Sequence, residues 1–170
     1  MGKSITTTMI ARLVEKGVID WNSSIADIFP VLTPDGNPAA KITLSQLLSH
    51  TSGLTENMDD ADFAKYEKSG YVDCETARRQ RLSIAKKYLN APLLAKPGQK
   101  FLYSNLGYLI AAAMVEKATG QSWGRLIRRQ IFATLNLRSA GLGPPGYAQT
   151  PGGQSRDQPQ GHMPAARTYG

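Results

Sequence analysis

The sequence has few of the residues that cross-link a chain or hold a metal ion. Cys74 is its single cysteine, so an internal disulfide is excluded. Its two histidines, His50 and His162, are too few for a typical zinc site, which takes three or four Cys, His or carboxylate ligands at characteristic spacing. We therefore predict that the chain holds no metal.

Long apolar runs are also missing. No stretch of eighteen apolar residues occurs, so we predict that no segment spans a membrane. The N-terminal residues carry periodic apolar positions interrupted by charges, which predicts an amphipathic helix rather than a signal peptide. With 170 residues, 41% of them apolar and 19% charged, the chain is typical of one globular domain with its own core.

Positive charge exceeds negative charge by seven, and this excess is one feature of nucleic-acid-binding proteins. Much of the excess lies in two clusters, at 78–87 and 125–129. Neither cluster is interleaved with aromatic residues, and no RNA-binding signature accompanies them. We interpret both clusters as the solvated faces of helices, which disfavours nucleic acid as a partner.

Apolar residues at three- and four-residue spacing predict a mainly α fold. The pattern indicates helices over these segments: 5–16, 44–51, 76–89, 106–119 and 123–131. Thr43 is placed to cap the second of them, and Gly17 and Gly120 to end the first and fourth. Residues 55–72 are polar and predict a loop with one helical turn, and a weak strand pattern is confined to 100–103.

The composition changes at residue 141. Seven glycines and five prolines fill the last thirty residues, a fraction typical of irregular chain. We therefore predict two regions, a helical body over 1–140 and an irregular extension over 141–170.

Three polar residues are candidates for chemistry. Tyr103 and Asn105 are two positions apart before a buried helix, so an extended turn would point the phenol and the carboxamide to one side. Lys3 shares a helical face with Thr7 and Ile10, where a partly desolvated amine is a candidate proton acceptor. The alternatives are a solvated terminal lysine, a core tyrosine, and an asparagine that only caps the helix.

Three segments together resemble the serine β-lactamase and penicillin-binding-protein superfamily, closest to the class C-like branch with its esterases and D-amino-acid peptidases. They are GKSITTTMIARLVEKGVIDWNSSIADIFP, ITLSQLLSHTSGL and PGQKFLYSNLGYLIAAAMVEKATGQSW. The resemblance implies the helical portion of an α+β fold. It also implies hydrolysis of a small ester or amide, β-lactams included, through an acyl-serine and without a cofactor. Members of that superfamily are often periplasmic or secreted, so the compartment stays open.

The resemblance also implies roles for the candidate residues. Lys3 matches the lysine of Ser-x-x-Lys, which accepts the proton of the serine. Tyr103 matches the tyrosine of Tyr-x-Asn, which moves that proton to the leaving group, and Asn105 matches the asparagine that contacts the acyl amide.

The sequence departs from the family pattern in two places. The motif serine would lie one residue before Met1, and no Lys-Thr-Gly or His-x-Gly strand follows His162. Ser4 and Ser104 are expected to face away from the site, and we interpret Ser83 with Lys86 as a chance match to Ser-x-x-Lys. We therefore expect a chain truncated at both ends, without most of the antiparallel sheet, and inactive or weakly active.

Two alternatives and one further partner remain open at this stage. The chain could be a smaller hydrolase with an unexpected serine, or a basic non-enzymatic module that binds nucleic acid or itself. Helices that would pack on an absent sheet keep apolar faces, so we also expect self-association through those faces.

Overall fold

The computed structural model describes residues 2–68 and 72–142. Backbone contacts divide the chain into a unit of residues 1–140 and a unit of residues 141–170. The helices of the described part are α1 (Gly2–Glu15), α2 (Ile25–Ile28), α3 (Leu44–Leu48), α4 (Asp60–Lys68), α5 (Cys74–Tyr88), α6 (Asn105–Thr119) and α7 (Trp123–Ile127). A 3₁₀ turn spans Pro38–Lys41, and a π-helical turn, Arg128–Phe132, follows α7.

The prediction of a mainly α fold is confirmed for the described residues. Within them no strand forms, and one isolated antiparallel bridge joins Ser24 to Thr43. In this part of the chain no helix is long and apolar enough to cross a membrane. Residues 143–170 lie outside the described part, so the irregular extension stays a prediction, as does the absence of most of the sheet.

Helix α6 is the centre of the helical body. Nine of its fifteen residues are buried, and it contacts five other helices, α1, α2, α3, α5 and α7. Gly107 allows α6 to approach α3 closely, because a Cβ there would lie 2.9 Å from the Leu47 carbonyl oxygen. Gly120 ends the helix in the left-handed conformation, with φ of 69°. This packing fixes the first turn of α6, where Asn105 lies.

Three local predictions are confirmed and two are wrong. Thr43 caps α3 with a reciprocal bond to Gln46, α1 ends just before Gly17, and Gly120 ends α6. Residues 60–68 form a nine-residue helix instead of a loop with one turn. Residues 100–103, which precede α6, form no strand.

The spacing of apolar residues did not predict helix α4, because none of its residues is buried. Acidic residues in its first turn and lysines in its last turn complement the helix dipole. Lys87 of α5 holds its start, since the ammonium lies 2.7 Å from a carboxylate oxygen of Asp59 and 2.7 Å from one of Asp62. The Tyr88 hydroxyl donates a further bond to Asp62 at 3.0 Å. Polar contacts with α5 thus hold α4 in place.

We expect acid to release α4 from α5. The bond from Lys87, and after it the backbone N–H of Asp62, lower the pKa of Asp59 from 3.8 to about 2, and the bond from Lys87 lowers that of Asp62 as well. Because these pKa values are lower in the folded chain, the stabilisation is complete above about pH 4 and is lost as the pH falls toward 2. Amide hydrogen exchange in α4 measures the release. Lys87→Met should remove most of its pH dependence, and an unchanged dependence in that variant would contradict the assignment.

Candidate active site

The structure brings the three predicted site residues together. The Lys3 ammonium, in the first turn of α1, donates to Asn105 Oδ1 at 2.6 Å. The Tyr103 hydroxyl donates to the same oxygen at 3.2 Å. Lys3 Nζ also lies 5.1 Å from the centroid of the Tyr103 ring, within the range of a cation–π contact. One carboxamide oxygen therefore accepts bonds from both candidate catalytic groups.

This geometry contradicts the structural alternatives for these residues. Tyr103 is 44% exposed, so it is no core aromatic, and Lys3 is half-buried and bonded. Ser104, not Asn105, caps α6: its Oγ accepts from the Gly107 N–H at 2.9 Å and donates to the Thr55 carbonyl at 2.7 Å. Because the buried Ser104 takes the capping role, the carboxamide of Asn105 is available to the site.

Asn57 fixes the orientation of that carboxamide, although no sequence pattern pointed to it. Asn105 Nδ2 donates to Asn57 Oδ1 at 2.8 Å, which leaves Oδ1 of Asn105 facing Lys3 and Tyr103. Asn57 lies in a polar loop without any periodic pattern. Its partner is forty-eight positions away, so nothing local connects the two residues.

Tyr108 forms a second aromatic wall beside Lys3, and the sequence did not single it out. Lys3 Nζ lies 5.6 Å from the Tyr108 ring centroid. The Tyr108 hydroxyl donates to the Leu48 carbonyl at 3.0 Å and lies 3.2 Å from Thr7 Oγ1. Two rings therefore flank the ammonium, and the tyrosine ties α1, α3 and α6 together at the site.

His50 lies behind the two tyrosines. Its ring centroid is 4.6 Å from that of Tyr103 and 5.4 Å from that of Tyr108. Its Nδ1 accepts the Ser104 backbone N–H at 3.1 Å. Burial, and after it the charge of Lys3, lower the pKa of the imidazole below 6.5. The HTSGL segment was the only sequence signal for this residue.

Lys3, Tyr103 and Tyr108 border a cleft of about 590 Å³ between α1, α5, α6 and α7. Its walls are Gly2, Lys3, Thr6, Arg81, Tyr103, Tyr108, Leu109, Ala112 and Trp123. No serine is among these residues: Ser4 and Ser83 are exposed on their helices, and Ser104 is buried. Among the described residues no group of three His, Cys, Asp or Glu side chains could hold a metal ion.

The arrangement is suited to proton transfer at a carbonyl substrate. An amine and a phenol share one hydrogen-bond acceptor, and no described carboxylate forms a salt bridge with the amine. The Asn105 carboxamide accepts both of these bonds, and beside the N–H donated to Asn57 its Nδ2 has a second N–H that can donate to an amide carbonyl. The site thus holds two candidate proton-transfer groups beside a carboxamide, while no serine is among the described residues that line the cleft.

Known proteins are similar to this chain in sequence and in fold. The beta-lactamase family model matches residues 1–169. Penicillin-binding protein 4 of Amycolatopsis lactamdurans is 30% identical over 82% of this chain and 34% of its own length. Esterase EstB of Burkholderia gladioli is 28% identical over 82% of this chain and 36% of its own length.

A solved structure agrees with these relatives. The D-stereospecific amidohydrolase of a Streptomyces species superposes with a TM-score of 0.63, at 25% identity, over 81% of this chain and 41% of its own. The chain thus spans about a third of the length of the curated relatives it matches. The family model extends over almost every residue of the sequence. The chain belongs to the beta-lactamase family.

Proposed function

We propose that this chain supplies the helical side of the active site of a serine hydrolase that cleaves a small ester or amide through an acyl-serine. The observation that carries the proposal is the convergence of Lys3 and Tyr103 on the Asn105 carboxamide oxygen, at 2.6 and 3.2 Å. The similarity to a penicillin-binding protein, an esterase and an amidohydrolase supports the reaction class.

Each residue has a role in the proposed reaction. The serine oxygen attacks the carbonyl carbon of the substrate, and its proton passes to the amine form of Lys3. Tyr103 moves a proton to the leaving group as the bond to that group breaks. Asn105 binds the acyl amide of the substrate. Water then cleaves the acyl-serine and restores the serine hydroxyl.

The Ser-x-x-Lys pattern places the proposed nucleophile three residues before Lys3, one position before Met1. We propose that these 170 residues bind the substrate but react with it weakly or not at all, because no serine lines the cleft. A smaller hydrolase with another serine has no support in the cleft, whose lining contains none. Self-association stays a prediction; exposed apolar residues such as Leu135 and Leu137 could contribute to it.

The structure offers no observation that favours the basic interaction module. Several of the charges on α5 form bonds within the chain. Arg81 pairs with Glu116, Arg78 donates to the carbonyl oxygens of Glu116 and Gly120, and Lys87 pairs with Asp59 and Asp62. Arg81 is the exception to the interpretation of this cluster as a solvated face, because its side chain is largely buried against Glu116, whereas that of Lys87 is 52% exposed.

Active-site labelling tests the proposed function. The probes are a labelled penicillin and a fluorophosphonate, applied to the printed chain and to a variant with one serine inserted before Met1, which completes Ser-Met-Gly-Lys. Mass spectrometry should find an adduct on the inserted serine and none on the printed chain. Lys3→Met and Tyr103→Phe should each slow labelling by about 100-fold or more, the usual contribution of acid–base catalysis.

The control for this experiment is Lys16→Met. Lys16 follows the same helix but donates to Gln130 at 2.8 Å, outside the cleft lining, so labelling should be unchanged. An adduct on a serine of the printed chain, or labelling of the inserted serine that is independent of Lys3, would contradict the assignment.

A further inference from the structure

His50 holds the segment that leads into Asn105 at two points. Its carbonyl oxygen accepts the Leu102 N–H at 2.7 Å, and its Nδ1 accepts the Ser104 N–H at 3.1 Å. Tyr103 lies between these two donors, and the imidazole packs against its ring with a centroid distance of 4.6 Å. The residue therefore supports the tyrosine through both its backbone and its side chain.

The backbone of His50 has an uncommon conformation for a residue with a side chain. Its φ is 60°, a left-handed conformation that few residues other than glycine adopt. This conformation accompanies the two bonds to the tyrosine segment, one from the carbonyl oxygen and one from the ring. Local strain of this kind is found where surrounding contacts specify a functional geometry.

The bond from Ser104 requires a particular protonation state. Nδ1 can accept the N–H only when it carries no proton, so the bonded imidazole is neutral with its proton on Nε2. Protonation of Nδ1 would place two donors against each other and break this bond. It would also add a positive charge next to Lys3, whose charge already disfavours protonation of the ring.

We propose that His50 is a positioning residue of the active site, one that holds Tyr103 against Lys3 and Asn105 only while its imidazole is neutral. This inference rests on the proposed function and adds to it a dependence on pH. Acid would release the tyrosine segment and separate the phenol from the amine. The site would thereby lose its proton-transfer pair without any change in Lys3 itself.

The groups around the imidazole agree with this assignment. The imidazole faces Lys3 of α1 and the Tyr108 phenol of α6. From the segment before α6 it faces Tyr103 and Phe101, and the contact with Phe101 is T-shaped with a centroid distance of 5.7 Å. No carboxylate of the described residues forms a salt bridge with His50. Its surroundings therefore favour the neutral ring, which the Ser104 bond needs.

A titration of the full chain tests, without any substrate, whether the position of Tyr103 depends on the protonation of His50. The ¹⁵N-labelled chain, carrying His162→Gln so that one histidine remains, is titrated from pH 8 to pH 5 by NMR. The signals of the Ser104 amide and of the Tyr103 ring should follow the His50 titration curve, with Nδ1 unprotonated at pH 8. Signals of Tyr103 that ignore this titration, or a proton on Nδ1 at pH 8, would overturn the proposal.

His50→Asn provides the second arm, because asparagine tolerates the left-handed conformation and does not titrate in this range. Both chains in this arm carry a serine inserted before Met1, and the chain that keeps His50 is called the parent. Below the pKa of the imidazole, the labelling rate of the parent should fall about tenfold per pH unit relative to the rate of the His50→Asn variant. His162→Gln should leave the parent profile unchanged. A parent and a His50→Asn variant with the same profile would overturn the proposal. If the NMR titration gives the expected result but no chain is labelled, His50 still supports Tyr103. That outcome would contradict the proposed hydrolase function and not the role of His50.

Discussion

Replacement of Glu116 with leucine is expected to lower the free energy of unfolding by about 3–5 kcal/mol, the usual cost of breaking a buried ion pair. Glu116 is 2% exposed. One carboxylate oxygen accepts the Arg81 Nε–H at 3.0 Å, and the other accepts the Trp123 N–H at 2.6 Å and a second bond from Arg81. Leucine would leave the guanidinium without a counter-ion and an N–H of α7 without an acceptor.

Urea denaturation followed by circular dichroism measures this loss. The matched control is Glu75→Leu, since Glu75 forms a partly exposed pair with Arg78 at 3.6 Å, and the expected cost is below about 1 kcal/mol. Combining Glu116→Leu with Arg81→Met should recover part of the loss, because no unpaired charge then remains. Equal losses for the Glu116 and Glu75 variants would show that the buried pair is not a stabilising junction.

The bonds of Glu116 matter for the site because both of its partners line the cleft. Arg81 and Trp123 both contribute to the cleft wall, and the indole Nε1 of Trp123 donates to Thr6 Oγ1 on α1 at 3.2 Å. Glu116 therefore links α5, α6 and α7 to the helix that carries Lys3. Its loss should change the shape of the cleft as well as the stability of the body.

Helix α6 was predictable because its signals are local. Leu106, Ile110 and Met114 recur at helical spacing and are buried, and Gly120 ends the helix in the conformation that glycine favours. Thr43 was predictable for the same reason, since its capping partner lies three positions away. Signals of this kind need no knowledge of the rest of the fold.

Features that depend on distant partners were not predictable in this way. Glu116 lies within an apolar stretch, and its partner Arg81 is 35 positions away. We interpreted Arg81 as a solvated residue because a sequence pattern cannot show a buried counter-ion on another helix. Helix α4 was missed because its polar contacts come from α5 and it has no buried face to produce a period.

The same distinction between local and distant partners applies to the residues of the site. Tyr103 and Asn105 were expected to face one side from their spacing, and their side chains do meet, at 3.2 Å. Lys3 and Asn105 are 102 positions apart, so only the resemblance of the motifs suggested that they would lie together. Asn57 and His50 received no role, because the bonds they make to Asn105 and Ser104 exist only in the folded chain.

Gly53→Ala is the second substitution with a large expected effect, a loss of about 2–5 kcal/mol. Gly53 has a φ of +80°, which costs an alanine about 1–2 kcal/mol. A Cβ there would also lie 2.1 Å from the Ala95 carbonyl oxygen, and forced separation of a packed contact costs about 1–3 kcal/mol more. Ala95 precedes Tyr103 by eight residues in the chain, so we also expect a displacement of Ala95 to disturb the position of Tyr103.

Gly17→Ala separates the two contributions to that loss. Gly17 has a similar φ of +67°, but a Cβ there meets nothing within 4 Å, so only the conformational cost of about 1–2 kcal/mol should appear in urea denaturation. The difference between the variants then measures the contact between residue 53 and Ala95. That contact lies beside two bonds, from the Leu94 N–H to the Gly53 oxygen at 2.8 Å and from the Gly98 N–H to the Thr51 oxygen at 2.7 Å. If both variants lose the same stability, a Cβ at residue 53 is accommodated without displacing Ala95, and the expected contact cost at Gly53 is wrong.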